Sequence, residues 1–307
     1  MTNTSDQSEP SKRLKLAITG TGGRLGGALA RILGRSHQII SFNRGNLDLA
    51  KPVNVKRVLS ETEFDALLNP AAMTSVDECE GVAALAEKVN TEAPAAMAEI
   101  CRERGARFIH VSTDYVFDGE EPGARSEKDP TNPLGVYGAT KLAGEQAVLK
   151  ADPEALVVRT SWVFGPERPA FPDGIVRRAM QEERVEAIAD KWPAPTFADD
   201  FAELIAPLLT NGSASGLLHL CNSGSCNWQE YGQAALDIAS AAGLELKTRK
   251  VEPLLLADMK QFVVPRPIHT AMDTSRYESF GHGSPRHWRD ALEAHLVERV
   301  QAGWFGE

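Results

Sequence analysis

An apolar run over residues 14–19 (LKLAIT) leads directly into a glycine cluster of Gly20, Gly22, Gly23, Gly26 and Gly27. Leu25, Leu29, Ile32 and Leu33 then repeat at helical spacing, one face of a helix that Gly34 stops. A buried strand, a tight glycine turn and a helix therefore open the fold, and few architectures begin that way. The alternation continues with strands over 38–42, 66–69, 107–111 and 156–160 and helices over 53–59, 82–89, 94–104 and 137–149. Pro94 suits the start of its helix and Gly105 its end. Strands alternating with helices specify a parallel sheet covered on both faces, and right-handed crossovers make it doubly wound. The expected class is α/β, with a Rossmann-type dinucleotide-binding domain over 13–165.

Beyond Trp162 the pattern loosens, because prolines from Pro166 to Pro267 break it into short elements. A smaller α/β substrate lobe is expected over 166–307, with helices over 201–209 and 228–242. A strand near 217–221 would return to the main sheet, so the two parts interleave. Residues 1–12 are polar and read as a disordered tail, without the apolar core of a secretory signal. No apolar run approaches the roughly 20 residues that cross a bilayer. The thiols Cys79, Cys101, Cys221 and Cys226 have no CxxC pairing and read as small buried hydrophobes of a reducing compartment, so a cytoplasmic location is expected. With 33 basic and 42 acidic residues the net charge is −9, which opposes sequence-independent binding to nucleic acid or anionic lipid. A phosphate-bearing ligand must find a local site.

The glycine turn offers one. Gly20, Gly23 and Gly26 let the backbone approach a pyrophosphate, and the helix starting near Arg24 and Leu25 presents free N–H groups and a positive dipole end. The second strand ends in Ser41-Phe42-Asn43-Arg44, without the acidic residue that binds the 2′-hydroxyl of NAD. Arg44 and Arg24 could clamp a 2′-phosphate instead, so NADP is favoured, with NAD the alternative. Tyr137 and Lys141 stand four residues apart, one helical turn, where a lysine charge favours the phenolate. Ser112-Thr113-Asp114-Tyr115 closes a strand at the sheet edge where ligands bind. Hydroxyl, phenol, ammonium and dinucleotide turn together describe carbonyl reduction. His110, His219 and His269 lack ligand-like spacing, and no metal site is expected.

These stretches resemble the extended short-chain dehydrogenase/reductases, and among them the dTDP-4-dehydrorhamnose reductase family. The matching segments are 20–26 (GTGGRLG), 69–77 (NPAAMTSVD), 106–119 (ARFIHVSTDYVFDG), 129–145 (DPTNPLGVYGATKLAGE), 158–165 (VRTSWVFG) and 266–273. The resemblance implies that Thr113, Tyr137 and Lys141 form a catalytic triad for NADPH-dependent reduction of a 4-keto nucleotide sugar. Tyr137 would donate the proton, Lys141 would bind the nicotinamide ribose, and Thr113 would bond the carbonyl oxygen. It also puts Asp48 and Leu49 by the adenine, Asn69, Ala71 and Ala72 along the cofactor, and Asn90 behind the site. Val76, Asp114, Tyr115, Phe117, Trp162 and Arg266 fall on the substrate side.

The chain departs from the family at Met73, where an aromatic or histidine is usual, and at 190–196, where DKWPAPT stands for DQxGxPT. Lys191 and Arg266 are then the cations expected at a substrate diphosphate. Two other readings share the same motifs: an epimerase or dehydratase that keeps NAD bound, and a non-catalytic NADP-binding regulatory subunit resembling the β-subunit of methionine adenosyltransferase. A homodimer is the commonest assembly for such an enzyme.

Overall fold

The structure, a computed structural model, describes residues 13–306, so the segment read as a disordered tail lies outside the described residues. The chain builds β1 (Lys15–Ile18), α1 (Arg24–Leu33), β2 (Gln38–Ser41), α2 (Pro52–Ser60) and β3 (Ala66–Asn69). There follow α3 (Val76–Gly81), α4 (Ala83–Glu87), α5 (Ala93–Arg104), β4 (Arg107–Thr113), α6 (Val136–Ala151) and β5 (Leu156–Thr160). The second half contributes β6 (Val163–Phe164), α7 (Phe171–Gln181), β7 (Val185–Ile188), β8 (Thr196–Phe197), α8 (Ala198–Ile205) and β9 (Gly216–His219). It closes with α9 (Trp228–Ala241), β10 (Val251–Leu254), α10 (Ser275–Glu278) and α11 (Trp288–Gln301).

Six parallel strands form the main sheet in the order β2-β1-β3-β4-β5-β9. Successive strand residues point to opposite faces, and here both faces are buried. Leu16, Ile18, Leu68, Ile109, Val111 and Val158 pack under α1 and α8. Ala17, Leu67, Phe108 and Val157 pack on the other face, under α2, α5 and α6. A strand buried on both sides reads as a continuous apolar run, which is why the sequence pattern identifies these strands. The doubly wound parallel sheet is present. Because β2 and β3 lie on opposite sides of β1, the order reverses there, and the crevice for a ligand opens at the carboxyl ends of β1 and β3.

The single helix expected over 82–89 is replaced by α3, α4 and a π-helical turn, Lys88–Glu92, that runs into α5. Asn90 explains the wide turn. Its buried amide accepts from the Met73 N–H (2.9 Å) and donates to the Met73 carbonyl (3.1 Å) and the Thr140 hydroxyl (3.1 Å). Single π turns of this kind commonly re-aim backbone beside a site.

In the second half, α7, α9 and α11 pack around the parallel pair β7 and β10, while α8 lies on α1 and β9 joins the main sheet beside β5. Asp173 anchors this half. Its buried carboxylate caps the start of α7 at the Ala170 N–H (2.7 Å) and meets His295 (3.0 Å) and Arg299 (2.8 Å) of α11.

Candidate active site

The turn after β1 is shaped by close approach. Gly20 has φ +59°, and a Cβ there would come within 3.0 Å of the Ala71 Cβ across the crevice. A Cβ on Gly26 would lie 2.2 Å from the Gly20 carbonyl oxygen, so only glycine lets α1 start against the end of β1. Gly23 closes the turn by donating to the Gly20 carbonyl (2.8 Å). It caps α1 without a side-chain hydrogen bond, and no acidic residue stands in the first turn. The leading amides therefore face the crevice with an uncompensated positive dipole end. Leu25 contributes only its backbone, since its side chain is in the core.

At the end of β2, Asn43 and Arg44 are exposed, and the Asn43 side chain accepts from the Gly45 N–H (2.8 Å). Arg44 has no hydrogen-bond or ion-pair partner among the described residues. Arg24, however, does not join it. Its guanidinium donates to the carbonyls of Pro169 (2.6 Å) and Arg168 (3.4 Å), so the two-arginine clamp is corrected to Arg44 alone. The reason is reach: Arg24 starts the helix on the side facing the second lobe. A second correction concerns Asn69, which is 0% exposed. Its side chain accepts from Thr19 (2.6 Å) and meets His110 Nδ1 (3.0 Å), so it ties β1, β3 and β4 together rather than lining a cofactor. Ala71 and Ala72 are half-buried at the crevice, Asp48 holds the Ala50 N–H (3.1 Å), and Leu49 is buried behind it. A cap-less helix start and a free arginine in place of an acid fit a dinucleotide carrying a 2′-phosphate.

Thr113 ends β4 and Tyr137 begins α6, and the Thr113 hydroxyl stands close enough to the Tyr137 phenol to act on it. Burial pushes the Tyr137 phenol up, the Thr113 hydrogen bond draws it down, and the Asp114 carboxylate pushes it up again. Lys141, one turn further along α6, is buried and donates to the Val111 carbonyl (2.7 Å), with His110 Nε2 at 3.4 Å. Burial lowers its ammonium to about 8, and Glu145 works against that fall. Thr113 draws the phenol down, and Lys141, one turn away as the spacing predicts, is turned to the β4 backbone. A buried ammonium takes the nearest acceptor, and that is a strand carbonyl.

On the substrate side, Val76, Met73 and Tyr115 pack with Tyr137 and Cys79, the Tyr115 and Tyr137 rings meeting edge-on at 5.6 Å. Asp114 is buried and accepts from the hydroxyls of Thr113 (3.1 Å) and Ser161 (2.9 Å). Arg266 pairs with Asp77 Oδ2 (2.6 Å), whose other oxygen accepts from the Val263 and Val264 amides. Burial opposes ionisation there, but the Arg266 guanidinium and these amides hold the Asp77 carboxyl below its ordinary range.

Trp162 stacks on Trp228 (5.0 Å) and lines a cavity of about 150 Å³ with Arg24, Phe171 and Tyr231. It is the one non-glycine among the described residues with a left-handed backbone, φ 45°. Such strain is held in place by surrounding packing and concentrates at functional sites.

The structure does not bring Phe117 to the site. Phe117 is buried under the Arg159 guanidinium (5.1 Å) and against the edge of His219 (5.8 Å). Lys191 is likewise corrected: it is 2% exposed and donates to the Pro267 carbonyl, out of reach of a diphosphate in solvent.

What the sequence reading missed is the pair beneath the site. Glu145 of α6 meets Arg159 of β5 through two bonds (2.9 and 2.7 Å) and accepts from Ser112 (2.5 Å), both partners 2% exposed. Its one signal was position, a glutamate one turn beyond Lys141.

The sequence profile of the family described as RmlD substrate binding domain matches residues 14–301. The chain belongs to the RmlD family. It is thus an oxidoreductase of the extended short-chain dehydrogenase/reductase type. Its similarity to the dTDP-4-dehydrorhamnose reductase of Mycobacterium tuberculosis is 36% identity over 289 residues, covering 92% of each chain. A Streptomyces antibioticus relative, named a probable dTDP-4,6-dihydroxy-2-methyloxan-3-one 4-ketoreductase, is 33% identical and covers 91% of this chain and 93% of its own. Among solved structures, the Bacillus anthracis dTDP-4-dehydrorhamnose reductase in complex with NADP is 28% identical, with a TM-score of 0.86 over 94% of this chain and 100% of that one. The described residues of this RmlD-family chain contain no helix long and apolar enough to cross a membrane and no cluster of metal-ligating side chains.

Proposed function

We propose that this protein reduces the 4-keto group of a dTDP-linked sugar and uses NADPH to do so. The observation that carries this reading is the Thr113 hydroxyl beside the Tyr137 phenol at the carboxyl edge of the sheet, with Lys141 one turn along α6. Names of relatives support the substrate class, because both the Mycobacterium and the Streptomyces proteins are named for reduction of dTDP-linked keto sugars. The amides at the start of α1 and the side chain of Arg44 would hold the cofactor.

When bound, NADPH would be the source of the hydride for the carbonyl carbon. The oxygen then gains negative charge, and Tyr137 Oη delivers its proton there. Thr113 Oγ1 would turn its single hydrogen from Asp114 to the same oxygen, so charge is stabilised as it develops. Lys141, fixed on the Val111 carbonyl one turn along α6, would bond the nicotinamide ribose. Val76, Met73 and Tyr115 wall the reacting centre from water.

The test is NADPH oxidation with dTDP-4-dehydrorhamnose, one NADPH consumed per ketone reduced. Tyr137→Phe should keep NADPH affinity and lose about two to four orders of magnitude in turnover. Unchanged turnover in that variant sinks the proton-donor role. Interconversion of sugar epimers without net NADPH loss, or no oxidation of NADPH by the wild-type protein, sinks the reductase reading itself.

A further inference from the structure

Lys191, in the segment between β7 and β8, has an unusual setting in the structure. Its ammonium is buried, and no carboxylate lies within ion-pairing distance among the described residues. Three groups from two separate parts of the fold surround it. The Pro267 carbonyl accepts its hydrogen bond, the Tyr115 ring lies 5.2 Å from Nζ, and the Asp114 carboxylate favours its charge from further away. Arg266, the neighbour of Pro267, is the cation that opposes it.

Tyr115 and Asp114 follow directly on β4 and its Thr113, whereas Pro267 and Arg266 belong to the C-terminal segment that docks on α3 through Asp77. An ammonium held out of water interacts more strongly with an aromatic face than an exposed one, and its charge strengthens the hydrogen bond to a buried carbonyl. Lys191 therefore joins the catalytic strand end to the segment that carries the substrate-side arginine.

We infer that Lys191 is a positioning residue for the reduction: it fixes the Tyr115 ring and the Arg266–Pro267 segment against each other and so sets the substrate wall that Tyr115 forms with Val76. It acts through the Tyr115 ring and the Pro267 backbone beside Arg266. The kinetic part of this inference rests on the proposed reductase function.

The experiment compares wild-type protein with Lys191→Gln, which removes the charge, and Lys191→Met, which keeps length without charge or donor. Two readouts are taken, steady-state kinetics with dTDP-4-dehydrorhamnose and hydrogen exchange of residues 262–267 without any ligand. The expected result is a KM for the sugar nucleotide raised by about ten-fold or more, with kcat within about three-fold and NADPH affinity unchanged. Exchange at the Val263 and Val264 amides should quicken by about ten-fold while the main-sheet strands keep their protection. A merely structural lysine would lower stability and leave the KM-to-kcat relation where it was. Unchanged KM and unchanged exchange in a folded variant overturn the inference. If the wild-type protein reduces no keto sugar, the functional reading fails separately, and exchange over 262–267 alone decides Lys191. If Lys191→Gln does not fold, Lys191→Met carries both readouts.

Discussion

Replacing Glu145 by Gln should be among the most damaging single changes to this protein outside the catalytic groups. The Glu145 carboxylate takes two bonds from Arg159 and one from Ser112, and both charged partners are 2% exposed. Glutamine keeps the shape but leaves the Arg159 guanidinium buried without a counter-charge, with only the Phe117 face and the neutral His219 near it. An uncompensated buried charge costs about 3–5 kcal/mol. At this chain length each kcal/mol moves the midpoint by about 2 °C, so Tm should fall by about 6–10 °C. The double variant Glu145→Leu with Arg159→Met removes both charges and should regain most of that loss, because a buried pair replaced by apolar groups of like volume is often neutral. Thermal unfolding of Glu145→Gln, and of wild type, Glu145→Leu, Arg159→Met and their double as a cycle, is the assay. A cost below about 1 kcal/mol for Glu145→Gln, or strict additivity of the two singles, refutes the reasoning. The same variant should also move activity: Glu145 supports the charged form of Lys141 against burial, so its loss lowers the Lys141 ammonium further below about 8 and shifts the alkaline fall of kcat/KM to lower pH.

Gly26→Ala places a Cβ 2.2 Å from the Gly20 carbonyl oxygen and 2.8 Å from that of Thr19, backbone atoms with no rotamer to yield, whereas Gly22 has nothing within 4 Å. NADPH affinity should drop by about ten-fold or more in the first and stay within about two-fold in Gly22→Ala, read by fluorescence titration; equal effects would contradict the close-approach argument. Stability should also depend on pH in a defined way. Burial lowers both Lys141 and Lys191 to about 8 from an ordinary 10.5, so above about pH 8 the unfolded chain binds more protons and stability rises. Burial raises the four thiols from an ordinary 9.0, so above about pH 9 the unfolded chain loses protons the folded one keeps, and stability falls again. On the acid side, burial holds His219 at about 4 and His110 well below its ordinary 6.5, so stability declines as pH drops below about 6.5. Urea midpoints across pH 4 to about 10 check all three slopes; a midpoint that falls steadily from about pH 8 to 9 would remove the lysine argument.

Local pattern was enough to read the sheet, the turn and the helix starts. Strands buried on both faces show as apolar runs, and a backbone that must approach a phosphate shows as glycine at Gly20, Gly23 and Gly26. The hydroxyl at the end of β4 and the phenol and ammonium of α6 were legible for the same reason, since strand ends and one-turn spacing are short-range features. The helix misread over 82–89 marks the limit of that method. Its π turn is set by Asn90 bonding Met73 and Thr140, the latter 50 residues away.

The partners of charged side chains were decided by tertiary structure alone. Arg24 reaches Pro169, 145 residues on, instead of Arg44; Lys191 turns inward to Pro267; Phe117 covers the Glu145–Arg159 pair instead of a sugar. No short-range rule reports these, because a charged residue looks the same in sequence whether it faces water or a buried counter-charge brought in from another strand. The sequence by itself thus determined the doubly wound sheet and where its chemistry gathers, through periodicity and turn stereochemistry. Tertiary structure decided which groups hold that chemistry in place, because burial makes each charge take a partner and the fold determines which partner is within reach.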